Sequence, residues 1–395
     1  MPYWRLSSFY FFYFAALGGL VPYWGLYLKQ LGFDAVAIGT LMAIPMATKF
    51  VAPYLWGWLG DHLGHRMLIV RVGSLLTAAT FVAVFWVRDF WPLALTMVLF
   101  SFFWNAVLPQ FEVVAFNYLG TQVPKYARLR VWGSIGFILT VGLLGVLVDA
   151  RGPSAVLPVL LFIYAGIWVA SLTVRDPDIA PHESGQGSIW STFRRPAILA
   201  FFAACFLMQV SHGPYYTFYS IYLEGHGYSK TLIGQLWALG VIAEVFVFLQ
   251  MHHLLNRFGP RAVLLATFAI AAVRWLLIGG FPDSLGVLLV AQVLHAATFG
   301  AFHAAAIHLV YHAFRGRHQG RGQALYSSLS FGAGGAIGSL WSGIAWEPMG
   351  ATFTFAVATA VALVALAIGW QWVGRPARRV DQARDRGLAR REEVE

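Results

Sequence analysis

The sequence predicts an all-α membrane protein of twelve spanning helices, arranged as two pseudosymmetric six-helix halves. Three observations lead there. Hydrophobic residues make up 59% of the 395-residue chain and charged residues only 11%, where a soluble domain carries about 25% charged residues. The charges fall in short breaks between apolar runs, and those runs reach the roughly 20 residues needed to cross a bilayer. Finally, the passage LKQLGFDAVAIGTL (Leu28 to Leu41) returns as LEGHGYSKTLIGQL (Leu223 to Leu236), an offset of 195 residues, close to half the chain.

The first run, residues 7–28, follows Arg5 and continues through Pro22, Tyr23 and Trp24. A cleaved signal peptide would need small residues there, so the run reads as a retained helix. Spans 35–59, 67–87, 90–117, 131–149 and 155–174 complete a first half, residues 1–174. The stretch 175–196, RDPDIAPHESGQGSIWSTFRRP, is the longest polar interruption and reads as a linker. Spans 197–221, 230–253, 262–281, 285–309, 323–346 and 351–374 form the second half, residues 197–374. Residues 375–395 are a densely charged, solvated tail.

An even number of spans puts both termini on one side. The N-terminus, the linker and the loops after even-numbered spans hold fourteen Lys and Arg, against four in the opposite loops. Positive charge collects on the cytoplasmic face, so both termini are expected in the cytoplasm and the chain in the cytoplasmic (inner) membrane. The net charge of +10 is explained this way, and no nucleic-acid partner is expected. Cys205 is the only cysteine, which excludes an intrachain disulfide or a cysteine metal cluster. His308 and His312 are four apart, but no third ligand is evident, so no metal is expected.

GWLGDHLGHR (Gly57 to Arg66), in the loop after span two, resembles the signature of the major facilitator superfamily at Gly57, Leu59, Asp61, Gly64 and Arg66. His62 and His65 stand where the pattern prefers Arg or Lys. The glycines allow a tight turn, and Asp61 can meet a helix N-terminus or a basic partner. Gly57, Asp61, Gly64 and Arg66 are therefore the candidate conformational latch. Along most of its length the chain also resembles the phenylpropionate permease group, related to lactose permease. That likeness is most specific in KYARLRVWGSIGF (Lys125 to Phe137), GVIAEVFVF (Gly240 to Phe248), VRWLLIG (Val273 to Gly279) and QVLHAATFGAFHAAA (Gln292 to Ala306). The resemblance implies the major facilitator fold and proton-coupled uptake of a small organic solute.

Four charges lie deep inside spans: Lys49, Glu112, Glu244 and Arg274. A charge at the centre of a membrane helix costs roughly 2.5–3.5 kcal/mol on insertion scales, so these residues are expected to face an interior cavity and to find partners. Lys49 and Glu244 are repeat-equivalent positions of opposite sign, at the same 195-residue offset. Glu244, Arg274 and His295 fall on spans eight, nine and ten and resemble the Glu, Arg and His set that handles the proton in lactose permease. Burial in an apolar cavity favours the protonated form of a carboxylate, and an approaching Arg opposes it. Where lactose permease has a further Glu one turn after the His, this chain has Thr298, leaving Glu244, with Glu112, to carry the proton. Glu112 also has Arg130 within reach as a loop partner.

The candidate substrate site draws on Lys49, Asn105, Trp275 and three polar–aromatic stretches. Gln209, His212, Tyr216 and Tyr219 share a face of span seven, which Gly213 and Pro214 interrupt. Tyr23, Trp24 and Tyr27 lie near the outer end of span one, and Gln292, His295, Phe299 and His303 line span ten. Aromatic walls with a cation suit an aromatic carboxylate such as 3-phenylpropionate; a sugar or nucleoside would stack there too. An exporter of drugs or metabolites would share the fold. Span five has no Pro and span four no Arg, and both absences favour import. A membrane enzyme or sensor would want a nucleophile with its base, a metal cluster or a soluble output domain, and none is visible. The expected partners are the solute, protons and the bilayer. No cofactor beyond the proton gradient is expected, and the chain is expected to act as a monomer.

Overall fold

The computed structural model describes residues 1–120, 122, 125–176, 190–314 and 318–374. Most of the proposed linker, the whole charged tail, Arg315 and Arg317 lie outside them. Inside hydrocarbon every backbone N–H and C=O must be satisfied within the chain, and the described chain is helical almost throughout. Helices α1 (Tyr3–Gln30), α2 (Ala35–Leu63), α3 (Arg66–Phe81), α4 (Phe90–Leu119), α5 (Tyr126–Arg151) and α6 (Val156–Leu172) form the first half. The second half comprises α7 (Pro196–Gly225), α8 (230–258), α9 (260–280), α10 (Leu285–Ala313), α11 (319–349) and α12 (Ala351–Trp372).

By length and hydropathy alone there are 10 membrane-crossing runs. Two features bring these to twelve passes. The 51-residue run Lys230–Gly280 contains a reversal at Gly259, whose φ of 77° suits glycine, followed by Pro260 at the start of α9. The run 319–349 is interrupted by a π-helical stretch, Ser327–Gly334. A second π-helical stretch, Ala296–Ala301, lies within α10. The sequence predicts neither. Several helices extend a turn or more beyond the predicted spans, because helical hydrogen bonding continues past the hydrocarbon into the interface.

The repeat is visible residue by residue at the end of the molecule far from the termini. Asp34 caps α2 through Ala37 N, and its counterpart Ser229 caps α8 through Leu232 N. Each of these helix starts also receives a carboxylate from the other half. Glu347, at the end of α11, accepts from Ala35 N (3.0 Å). Asp149, at the end of α5, accepts from Lys230 N (2.8 Å) and Thr231 N (2.7 Å). Lys29 meets its own repeat partner Glu224 at 2.9 Å, and Lys230 meets the same carboxylate at 3.0 Å. Glycines bring the backbones together beneath these contacts. A Cβ on Gly39 of α2 would stand 2.7 Å from Gly343 Cα on α11, and one on Gly234 of α8 would stand 2.5 Å from Val141 O on α5.

Among the described residues, the hydrogen bonds and ion pairs joining the two halves lie at this far end. At the terminal end, Arg66, Arg71 and Arg261 bond within their own halves. The chain is thus sealed at the far end by a two-fold set of acid-to-helix-start contacts. Each such contact is worth about 0.5–2 kcal/mol. Replacing Asp149 by Asn and Glu347 by Gln together should therefore shift the population about tenfold or more toward opening of the far end. Spin labels at positions 151 and 284, on far-end loops of opposite halves, should move apart. An unchanged distance would mean that other contacts hold the seal.

Candidate transport site

Of the charges deep within spans, Arg274 is fully buried, while Lys49, Glu112 and Glu244 are half-buried. Lys49 on α2 reaches α11, its Nζ 5.4 Å from the Phe331 ring centroid, and lies within the electrostatic reach of Glu112 and His303. Glu112 on α4 accepts a hydrogen bond from Tyr126 OH (2.9 Å) and lies within the field of Arg130 on α5. Arg130 stacks on Phe14 at 3.5 Å and also acts on Glu244 and His303 of the second half. Arg130, a loop residue by sequence, therefore stands in the field of the in-span charges. The start of α5 carries it inward, and its place in KYARLR is the available signal.

In the second half, His295 Nε2 lies 3.9 Å from Glu244. Arg274 makes no ion pair among the described residues. It is 0% exposed and donates to Ala291 O (2.8 Å), Gln292 Oε1 (3.2 Å) and Thr298 Oγ1 (3.3 Å). Its guanidinium lies 4.0 Å from the Tyr215 ring and 4.8 Å from Trp275. Glu244 and Arg274 thus do not touch, contrary to the mutual pairing expected. His295 is the link, 3.9 Å from Glu244 and within the field of Arg274. Thr298, noted as a departure from the lactose permease pattern, is one of the oxygens that hold Arg274.

Aromatic rings surround this cluster. His212 stacks on Tyr216 at 5.7 Å and meets Trp275 edge-on at 4.8 Å. His295, Phe299 and His303 form one ladder along α10, with Phe299 as its middle ring. Gln209 Nε2, His212 Nε2 and His295 Nδ1 are buried without hydrogen-bond partners among the described residues. Buried polar groups left unpaired are costly, and two of these, on His212 and His295, lie within the field of Arg274. Gln292 is already engaged by Tyr215 and Arg274, and Trp275 donates to Ser211 at 3.3 Å.

Residues 3–357 match the family model described as MFS_1 like family. The chain belongs to this family. The "Probable 3-phenylpropionic acid transporter" of Escherichia coli (strain K12) is 32% identical to this MFS_1-like chain over 354 residues, covering 87% of it and 91% of that protein. The "Maltose permease" of Geobacillus stearothermophilus is 26% identical over 369 residues, covering 91% and 92%. Among solved structures, a mutant form of the nucleoside transporter NupG superposes with a TM-score of 0.84 at 17% identity, covering 93% of this chain and 98% of that one. The POT family transporter PepTSo superposes with a TM-score of 0.76 at 11% identity, covering 94% and 97%. The structural matches carry the major facilitator fold; at such identities they carry nothing about the solute.

Several sequence-assigned residues of the MFS_1-like chain have other contacts. Tyr23 is buried in the far-end seam, its hydroxyl donating to Val141 O at 2.6 Å. Trp24 is 0% exposed and packs against Tyr27, Phe81 and Phe100 within the first half. Tyr23 thus serves the contact between the halves, and Trp24 the packing of the first half. Asn105 bonds to Pro45 O and Thr48 Oγ1, both at 2.9 Å, tying α4 to α2. Asp61 meets the basic partner in its own loop, Arg66, which also reaches Gln110 on α4 at 2.6 Å. In this conformation those contacts brace the first half and do not cross to the second. Gly64, with φ of 69°, makes the turn, while Gly57 lies near the Gln110 side chain. His303 sits 3.4 Å from Tyr326 OH.

Tyr215 escapes the periodicity count because it falls between the predicted positions His212 and Tyr216, yet its ring lies 4.0 Å from the Arg274 guanidinium. Gly300 carries no sequence signal either: a Cβ there would stand 2.9 Å from Glu244 Cγ. Gly300→Ala should displace the Glu244 side chain and lower uphill uptake several-fold. The thermal midpoint should change little, since the neighbour is a flexible side chain. Unaltered uptake by the folded variant would show that the position of Glu244 is not critical.

Proposed function

We propose that this MFS_1-like transporter imports an aromatic monocarboxylate of the 3-phenylpropionate type together with a proton, across the cytoplasmic membrane with both termini inside. The observation that carries the reading is a charge imbalance. With Arg130 included, the chamber holds three cations (Lys49, Arg130 and Arg274) against two acids (Glu112 and Glu244). An unbalanced cation in a medium of low dielectric favours an anionic guest. The surrounding rings suit an aromatic one, and the identity to the 3-phenylpropionic acid transporter points the same way.

The balance also supplies a reason for coupling. With histidines neutral, the empty chamber carries one net positive charge. The carboxylate alone brings it to zero, and a proton alone raises it to two. Carboxylate and proton together restore the original charge. The empty and fully loaded forms are thus electrostatically alike, while either half-loaded form differs by one unit. A rocking motion tuned to the former passes both or neither. Glu244 is the proposed proton carrier, with His295 between it and Arg274 as the relay; Lys49 is the proposed contact for the solute carboxylate, and Glu112 its balancing acid. Gln209, His212, Tyr216, Trp275, Gln292 and His303 complete the proposed lining.

In proteoliposomes an inward proton gradient should drive accumulation of 3-phenylpropionate with external alkalinisation, while a membrane potential alone should not. Accumulation of maltose or a nucleoside but not of the acid would overturn the substrate assignment, and potential-driven uptake would overturn the electroneutral stoichiometry. Glu244→Gln should abolish accumulation while leaving solute exchange; intact uphill uptake would remove Glu244 from the proton path. Lys49→Ala should weaken binding of the acid about tenfold or more, equivalent to about 1.4 kcal/mol. Unchanged affinity would take Lys49 out of the pocket.

A further inference from the structure

Away from the chamber, a groove of about 940 Å³ runs between α9 and α12 at the terminal end of the molecule. Its floor is made shallow-sided by Ala262, Ala266 and Ala269 on one helix and Ala367 on the other. Arg261, Trp370 and Gln371 stand at its mouth. We propose that this groove binds one anionic phospholipid, with the phosphate at Arg261 and an acyl chain laid along the alanines.

The dimensions fit. The α9 lining extends from Arg261 to Ala269, which is about 12 Å at 1.5 Å per residue. One leaflet of the hydrocarbon core is about 15 Å deep, half of the roughly 30 Å total. The groove opens away from the interface between the halves, with Leu363 48% and Trp370 62% exposed, so the medium that reaches it in a membrane is lipid.

The charge at the mouth is fixed and uncompensated. Arg261 Nε donates to Val373 O (2.6 Å) and its Nη2 to Trp370 O (2.7 Å), while the Trp370 ring lies 5.6 Å from the guanidinium carbon. Among the described residues Arg261 meets no carboxylate. The repeat makes this informative. Its counterpart in the first half, Arg66, is neutralised by Asp61. The position equivalent to Asp61 is Asn256, whose amide instead approaches His252 Nε2 at 3.0 Å. The same corner is therefore neutral in one half and cationic in the other, and the missing anion has to come from outside the described chain. Basic pockets between helices at the cytoplasmic side are suited to anionic headgroups, and the neighbouring Trp is a residue of the membrane interface. A free phosphate would satisfy the cation and leave the apolar groove unused.

The test uses the purified full chain in detergent. Cys205, the only cysteine, is fully buried, so its reaction with a thiol-sensitive dye reports thermal unfolding. Dioleoyl phosphatidylglycerol should raise the midpoint by a few degrees, dioleoyl phosphatidylcholine by clearly less, and inorganic phosphate not at all. Gln371→Glu, which puts an acid beside Arg261, and Ala266→Trp, which fills the groove, should each remove the difference between the two lipids. Gln371→Glu alters only an exposed side chain and keeps the test open if Ala266→Trp does not fold. Equal stabilisation by both lipids in the unaltered chain would overturn the proposal. So would a phosphate effect as large as that of phosphatidylglycerol, or a lipid preference that survives in the folded variants.

Discussion

An ionised side chain among membrane helices must find water, a counter-ion or a dense set of dipoles, and this requirement orders the whole molecule. The helices satisfy their own backbones and therefore offer little to a charge on a neighbouring segment. Arg274 meets the requirement without any acid, through a carbonyl, an amide, a hydroxyl and two ring faces. Lys49 reaches across to a ring of the opposite half, and Glu112 takes a tyrosine hydroxyl. Each solution directs a polar group toward the volume between the halves and away from lipid. The proposed solute site is thus a consequence of where the charges can be tolerated.

Packing between the halves follows a complementary rule. Lipid tails are as apolar as leucine, so membrane helices gain no hydrophobic drive from meeting one another. Close backbone approach and polar contacts must hold them. The glycines at 39, 234 and 343 provide the approach, and the acids at 149 and 347 provide the polar contacts. The far-end seam is narrow because no side chain intervenes at the crossings. At the terminal end Arg66, Arg71 and Arg261 are spent on their own halves.

Much of this is legible in the sequence. The 195-residue repeat identifies Lys29 with Glu224 and Lys49 with Glu244, and the first of those pairs is a direct ion pair. The run Lys230–Gly280 reads as two passes because Gly259 and Pro260 forbid a continuous helix. The irregularities within helices are less accessible. Neither π-helical stretch has a composition that marks it, since each exists only because tertiary contacts compensate for a poorer hydrogen-bonding pattern. Periodicity alone misses Tyr215 of α7, which stands beside the predicted face and meets Arg274 by its ring. Aromatic residues in α1 mislead for another reason: near a membrane interface, rings that pack and rings that line a cavity have the same spacing. Arg130 is visible only as a charge near a span boundary, and its depth depends on how far α5 begins before the hydrocarbon.

The exchange of acids across the far end makes the two sides of the seam interdependent. α5 holds the start of α8, while α11 holds the start of α2, so each body is at once donor and recipient. Tilting one body relative to the other strains both clasps in the same movement, and neither can yield while its mate stays fully seated. Such reciprocity sharpens a gradual rocking into a threshold event, in which intermediate tilts are sparsely visited and the passage is seldom ajar at both ends.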